Sequence, residues 1–126
     1  MKTSKNYWLV KSEPETWSWE QQKKKKVEHW DGVRNYQAAN YMKQMKKGDE
    51  CLFYSSVSEK AIKGIMTVVK EYYPDHTDKK GIFGMVDVKY VKDLKEVTLA
   101  EIKADTFFDD FPLVKQSRLS VMPVKL

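Results

Sequence analysis

The chain has 126 residues, of which 41% are hydrophobic and 13% aromatic, and its formal net charge is +5. A lone cysteine, Cys51, excludes an internal disulfide, and no apolar run approaches the ~18 residues of a membrane span. We therefore predict a single domain over residues 1–126 that needs no disulfide or metal, lies in the cytoplasm and suits a polyanionic partner.

The first predicted element is a strand over Tyr7–Lys11, which is aromatic and β-branched. Ser12 and Glu15 then have capping-box spacing, and Pro14 suits a first helical turn. The stretch that follows is either a short helix or an irregular arm. It ends in a basic patch that consists of Lys23, Lys24, Lys25 and Lys26. These lysines either bind a polyanion or form a solvated loop or helix end.

A second helix is predicted after the turn at Asp31–Gly32. Asn35 is its candidate N-cap, and Gly48 stands where a helix ending at about Lys46 or Lys47 would stop. The apolar residues recur at helical spacing and are interpreted as core: Ala38, Tyr41, Met42 and Met45.

The second half of the chain reads mainly as strands. The predicted strands are ECLFYSS, Ile62–Val69 with a bulge or close approach at Gly64, GIFGMVDVKYV, and a short last strand at 119–121. Thr98 can cap a short helix between the last two. Adjacent strands without regular intervening helices favour an α+β domain around a curved sheet or barrel over a doubly wound sheet.

The residues that carry catalytic chemistry are few. His29 and His76 are far apart in sequence and lie in no metal-binding motif, and Cys51 lacks the local signature of a nucleophile. No glycine-rich phosphate loop is present in the sequence. We therefore predict a binding protein without catalytic residues, cofactor or metal, with a small-molecule or nucleotide-metabolite enzyme as the weaker hypothesis.

The tryptophans are concentrated in one region. Trp8, Trp17, Trp19 and Trp30 all fall within the first 30 residues. At least one belongs in the core, and another can serve as a stacking platform for a nucleobase. Such a platform needs polar neighbours that bind the base edge or a phosphate, which favours Asn35, Arg34 and nearby serines. Arg34 and Arg118 are the two arginines of a lysine-rich chain, a ratio that favours bidentate roles for them unless it arose by chance.

Six segments occur in a distinctive order: YWLVKSEPETWSW, WDGVRNYQAANYMKQMKKGD, CLFYSS, IKGIMTVVKEYYPD, MVDV and RLSVMPV. Together they resemble the EVE domain family, over Tyr7 to Val124. The resemblance implies a PUA-like curved sheet or barrel of about five or six strands flanked by short helices, related to the YTH domain. It also implies a non-catalytic domain, expected to be a monomer, that binds DNA or RNA and recognises a modified base such as a modified cytosine.

The resemblance also implies site residues. Lys11 and Ser12 correspond to the pocket floor, Trp30 to a cage wall and Asn35 to the group that reads the base. The full pocket implied is Lys11, Ser12, Trp30, Val33, Asn35, Tyr54, Ser55, Ser56, Arg118, Leu119 and Ser120, with Lys23, Lys24, Lys25, Lys26 and Arg34 on the nucleic-acid backbone.

Two departures from the family pattern keep another interpretation open. Ser55 stands where the family often has histidine, and Ala39 where it commonly has arginine. An accessory interaction domain with a degenerate pocket is therefore the alternative. A further question concerns Asn35, because capping the helix and reading a base compete for the same side-chain amide, and the sequence leaves the direction of Arg34 open.

Overall fold

The computed structural model describes residues 6–105, 111–116 and 119–124, and in these ranges six strands form one mixed sheet. The strands are β1 Tyr7–Ser12, β2 Val27–Trp30, β3 Glu50–Ser55, β4 Ala61–Pro74, β5 Gly84–Thr98 and β6 Val121–Val124. The helices are α1 Trp19–Lys25, α2 Tyr36–Lys43, α3 Leu99–Ala104 and α4 Pro112–Lys115. None of the helices in these ranges has the length and apolar character needed to cross a membrane.

The sheet has the order β2-β5-β4-β3-β1-β6, and one pairing in it decides where a site can form. β1 pairs in parallel with β3, so that Ser12 lies beside Ser55 and both strands end at the same edge. The long connection that a parallel pair requires contains α1, β2 and α2. The other strand pairs are antiparallel. This α+β architecture confirms the predicted fold class, as an open sheet with β2 and β6 at its edges.

Bulges bend the two longest strands. The register shifts once between β3 and β4 and four times between β4 and β5, including at Ile62/Gly64 where the sequence predicted a bulge or close approach. Each shift leaves at least one residue unpaired and increases the local twist. The sheet therefore curves around the buried side chains of one face.

Three aromatic rings connect α1 to the middle of the sheet. The ring of Phe53, fully buried on β3, lies 5.0 Å from the ring of Trp19 and 5.6 Å from that of Trp30. Trp19 can pack so closely because Gly64 on β4 has no side chain. Its indole Nε1 donates a hydrogen bond of 2.8 Å to Asp93, which fixes the ring in place. The helix start predicted at Ser12 and Pro14 is wrong, because the Ser12 hydroxyl donates to the Trp17 carbonyl. α1 begins instead after a capping box at Ser18, whose side chain accepts from the Gln21 backbone.

The structure corrects several predicted element bounds. α2 ends at Lys43, earlier than predicted, because the carboxylate of buried Asp49 accepts from the backbone N–H of Lys46 and holds a turn there. β2 was not predicted, and it forms because residues 27–30 find their partners on β5. β4 continues to Pro74, past the predicted end at Val69, and β6 begins at Val121, so that residues 119 and 120 precede the strand.

We expect Gly64→Ala to destabilise the fold by about 2 kcal/mol. A Cβ atom there would collide with the Trp19 ring and lie 2.6 Å from the backbone carbonyl oxygen of Lys92, which cannot move without disturbing the β4–β5 pairing. Urea unfolding measures the loss. Lys92→Ala is the control, because it keeps that carbonyl, and an equal loss in both variants would contradict the explanation.

Candidate functional site

Two neighbouring clefts open where β1 and β3 end, and they share Lys11 and Glu13. The first, the tryptophan cleft, has a volume of about 470 Å³. It is lined by Lys11, Ser12, Glu13, Thr16, Trp17, Glu28, His29, Trp30, Asp31, Gly32 and His76. The second, the lysine cleft, has a volume of about 530 Å³. It is lined by Lys11, Glu13, Tyr54, Ser56, Val57, Lys60, Leu99, Lys103, Leu113 and Ser120.

The tryptophan cleft has two indoles with different roles. Trp30 is only 6% exposed, because its ring packs edge-on against Phe53, so it contributes a wall continuous with the core. Trp17 is half-buried, and its Nε1 donates a hydrogen bond of 2.8 Å to the side chain of Gln22. Gln22 is fully buried and donates in turn to the carbonyl of Lys26. Trp17 is therefore held in a fixed orientation beside the cleft.

The hydroxyl of Ser12 is oriented by the same segment. Its Oγ donates a hydrogen bond of 2.6 Å to the backbone carbonyl of Trp17. The carbonyl of Ser12 accepts from the backbone N–H of Ser56, which joins the ends of β1 and β3. Since the hydroxyl proton is engaged, the oxygen lone pairs are what Ser12 can offer to a ligand.

Charge in the tryptophan cleft is predominantly negative. Glu13, Glu28 and Asp31 bring three carboxylates, against the single ammonium of Lys11. Burial lowers the pKa of Lys11. The side chain of His29 lies 3.0 Å from the carboxylate of Asp87, and this hydrogen bond raises the pKa of the imidazole.

One buried carboxylate holds the rim of the cleft. Asp75 follows β4, and its side chain has no exposed surface. It accepts hydrogen bonds from the backbone N–H of Gly32, from Arg34 and from the backbone and hydroxyl of Thr77. Burial alone would raise the pKa of Asp75, but these hydrogen bonds outweigh it and lower the pKa to about 2. The β2–α2 loop is thereby attached to the β4–β5 loop.

The structure shows what the side chains of Arg34 and Asn35 contact. The guanidinium of Arg34 donates hydrogen bonds to Asp75 and Thr77. Its central carbon lies 5.9 Å from the centroid of the Phe83 ring. The guanidinium therefore makes its contacts within the protein. Asn35 caps α2, with its Oδ1 accepting from the N–H of Ala38 at 2.9 Å. Asn35 lines neither cleft.

The other predicted pocket residues divide between the two clefts and the core. Lys11, Ser12 and Trp30 line the tryptophan cleft, whereas Tyr54, Ser56 and Ser120 line the lysine cleft. Three more are buried: Val33, Leu119 and Ser55, whose hydroxyl donates to Glu59. Arg118 lies outside the described residues. The four lysines predicted to contact the nucleic-acid backbone, Lys23 to Lys26, are exposed at the end of α1. Lys23 forms a salt bridge of 2.6 Å with Asp93.

Sequence reasoning missed several residues that line the tryptophan cleft. Glu13 and Trp17 lie inside the first distinctive segment, which could have identified them as candidates. Glu28, His29 and His76 had no such signal, because they reach the cleft through the unpredicted strand β2 and a loop remote in sequence.

Two observations bear on covalent or metal chemistry. Among the described residues, no group of three His, Cys, Asp or Glu side chains is arranged to hold a metal ion. Cys51 is fully buried in the core, and burial raises the pKa of its thiol.

Fold and site together define a small α+β domain in which two clefts, one with aromatic walls, open at the ends of a parallel strand pair. Residues 6–126 match the family model of the EVE domain. The chain therefore belongs to the EVE domain family.

Known relatives agree with this assignment. The human thymocyte nuclear protein 1 is 39% identical over 131 residues, which cover 82% of this chain and 58% of that protein. The chain thus spans little more than half the length of this relative. Human THYN1 in complex with 5-methylcytosine-containing DNA is similar in structure, with a TM-score of 0.88 and 34% identity over 95% of this chain and 91% of that one. A solved Rhodopseudomonas palustris protein has 50% identity and a TM-score of 0.89, over 95% and 85% of the two chains.

We expect Asp75→Asn to destabilise the protein by about 1–3 kcal/mol at neutral pH, because a neutral amide weakens the hydrogen bonds from Gly32, Arg34 and Thr77. The lowered pKa means that the carboxylate contributes stability above its unfolded pKa of about 3.9, and that this contribution is lost as the pH falls toward about 2. Denaturant unfolding across this pH range should show the free energy of unfolding of the wild type falling toward that of the variant. Asp31→Asn, at an exposed carboxylate, is the control, and a constant difference at all pH values would contradict the prediction.

Proposed function

We propose that this domain binds nucleic acid and captures a single modified base, such as a modified cytosine, in the tryptophan cleft. The observation that carries the proposal is Trp17, an indole fixed by Gln22 in a cleft whose other wall is Trp30. The similar structure of human THYN1 with 5-methylcytosine-containing DNA supports it. The cleft volume of about 470 Å³ lies in the range of pockets that hold small ligands.

The polar groups of the cleft favour bases that present an amino group. Carboxylates accept hydrogen bonds from the exocyclic amine of cytosine, and Glu13, Glu28 and Asp31 provide them here. The Ser12 oxygen adds a further acceptor, since its proton is already donated to Trp17. Uracil and thymine present a carbonyl at the equivalent position, which these acceptors would repel. The cleft is therefore better matched to cytosine or adenine derivatives.

The energetics are consistent with capture of one flipped base. Extruding a base from a duplex costs a few kcal/mol, and stacking on an aromatic side chain contributes roughly 1–3 kcal/mol per base. Stacking of the base on Trp17, together with hydrogen bonds to the edge of the base, is of the size needed to offset the cost of extrusion. A single-stranded or mismatched target would bind more tightly, because less unstacking is required.

We further propose that the domain binds the base without chemical turnover. The thiol of Cys51 is buried away from both clefts. The hydroxyl of Ser12 donates its proton to a backbone carbonyl, which cannot act as a general base. Neither group is thus arranged as an activated nucleophile.

The test is a titration of labelled oligonucleotides that differ by one 5-methylcytosine, as DNA and RNA and as single and double strands. Tighter binding of the methylated strand is expected. Trp17→Ala should weaken that binding roughly 5- to 150-fold, the equivalent of 1–3 kcal/mol of stacking.

Tyr36→Ala is the matched control, because Tyr36 is an exposed aromatic that lines neither cleft. Equal affinity for methylated and unmethylated strands, or unchanged binding by Trp17→Ala, would refute base capture. An intact protein that binds none of the oligonucleotides would instead favour the accessory-domain interpretation.

A further inference from the structure

The tryptophan cleft is poorly suited to the phosphates of the strand whose base it would capture. Three carboxylates line it against one ammonium group, so a phosphodiester drawn in with the base would be repelled. Phosphate contacts nevertheless supply most of the affinity of nucleic-acid binding and fix the register of the strand. A positive surface next to the cleft is therefore required.

The lysine cleft has the opposite charge. Lys11, Lys60 and Lys103 bring three ammonium groups to it against the single carboxylate of Glu13. In residues 6–105, 111–116 and 119–124, neither Lys60 nor Lys103 has a salt-bridge partner. Their charge is therefore available to an anionic ligand, in contrast to that of Lys23, which is paired with Asp93.

Backbone contacts hold the two unpaired lysines on one wall. The carbonyl of Lys60 accepts a hydrogen bond of 2.8 Å from the N–H of Leu99, the first residue of α3. Lys103 lies four residues later on the same helix and therefore on the same face as Leu99. A capping box at Thr98 fixes the start of α3. The lysine pair is thus positioned by the fold.

Hydroxyl donors complete the cleft. Tyr54, Ser56 and Ser120 line it together with the lysines, and hydroxyls are common donors to phosphate oxygens. Burial raises the pKa of Tyr54, so that its phenol keeps the proton it would donate. The ammonium of Lys11 lies 5.8 Å from the centroid of the Tyr54 ring, at the boundary between the two clefts.

We propose that the lysine cleft is a phosphate-binding subsite, which holds the backbone phosphate adjacent to the base captured in the tryptophan cleft. The nucleic-acid strand would cross the wall that the two clefts share at Lys11 and Glu13. Its captured base would lie in the tryptophan cleft and the adjacent phosphate in the lysine cleft. This inference rests on the proposed nucleic-acid binding, but the phosphate interaction has a readout of its own.

The experiment measures oligonucleotide affinity between roughly 50 and 200 mM salt for the wild type and for Lys60→Gln/Lys103→Gln. This variant removes both lysines that hold the one phosphate, so the slope of log affinity against log salt should become less steep by about 0.7–1, the value for one phosphate contact. Affinity should fall equally for methylated and unmethylated strands, which leaves their ratio unchanged. Lys60→Arg/Lys103→Arg should retain the wild-type slope.

The matched control is Lys46→Gln/Lys47→Gln, which removes the same charge beside Asp49, near the opposite end of β1. An equal decrease of slope in this control would show an effect of net charge and overturn the subsite.

The two proposals can fail separately. A wild-type slope in Lys60→Gln/Lys103→Gln, with methyl preference abolished only in Trp17→Ala, would overturn the subsite and leave base capture standing. A reduced slope without any methyl preference would support the phosphate interaction and refute base capture. Absence of oligonucleotide binding by the wild type would overturn both.

Discussion

The buried carboxylate of Asp75 is the constraint on which the candidate site depends. It receives hydrogen bonds from Gly32, Arg34 and Thr77, and so attaches the loop after β2 to the loop after β4. This attachment fixes Gly32 at the rim of the tryptophan cleft, on the backbone that leads to the Asn35 cap. A negative charge with no exposed surface is costly unless paired and fully hydrogen-bonded, and here both conditions are met.

A second constraint is the parallel pairing of β1 with β3. Parallel strands end at the same edge of the sheet. The segments that follow β1 and β3 therefore begin side by side and then separate; they are Glu13–Trp17 and Ser56–Lys60. The two clefts open where these segments begin, and they share Lys11 and Glu13. Their opposite charge is thus a result of topology: one cleft collects side chains from β2 and its loop, the other from the β3–β4 turn and α3. An acidic cleft and a basic cleft can therefore lie on the two sides of one short wall.

Local chemistry made much of the fold predictable. Most of the strands and the helix caps at Asn35 and Thr98 follow from nearby residues, and the structure confirms them. Interactions between distant segments were not predictable. β2 is stabilised by its pairing with β5, and the direction of Arg34 is set by Asp75, which lies in the loop after β4. Of the pocket residues implied by the resemblance, Lys11, Ser12 and Trp30 line the tryptophan cleft, whereas Tyr54, Ser56 and Ser120 line the lysine cleft. Which of these side chains share a cleft depends on contacts between distant segments, so the sequence alone could not separate them.

The unequal burial of the four tryptophans gives the protein an internal optical probe. Trp8, Trp19 and Trp30 are at most 6% exposed, whereas Trp17 is half-buried at the tryptophan cleft. A small quencher such as acrylamide therefore reaches Trp17 before the other three. A stacked nucleobase would occupy the same position, so that intrinsic emission can follow occupancy of the cleft on an unlabelled chain.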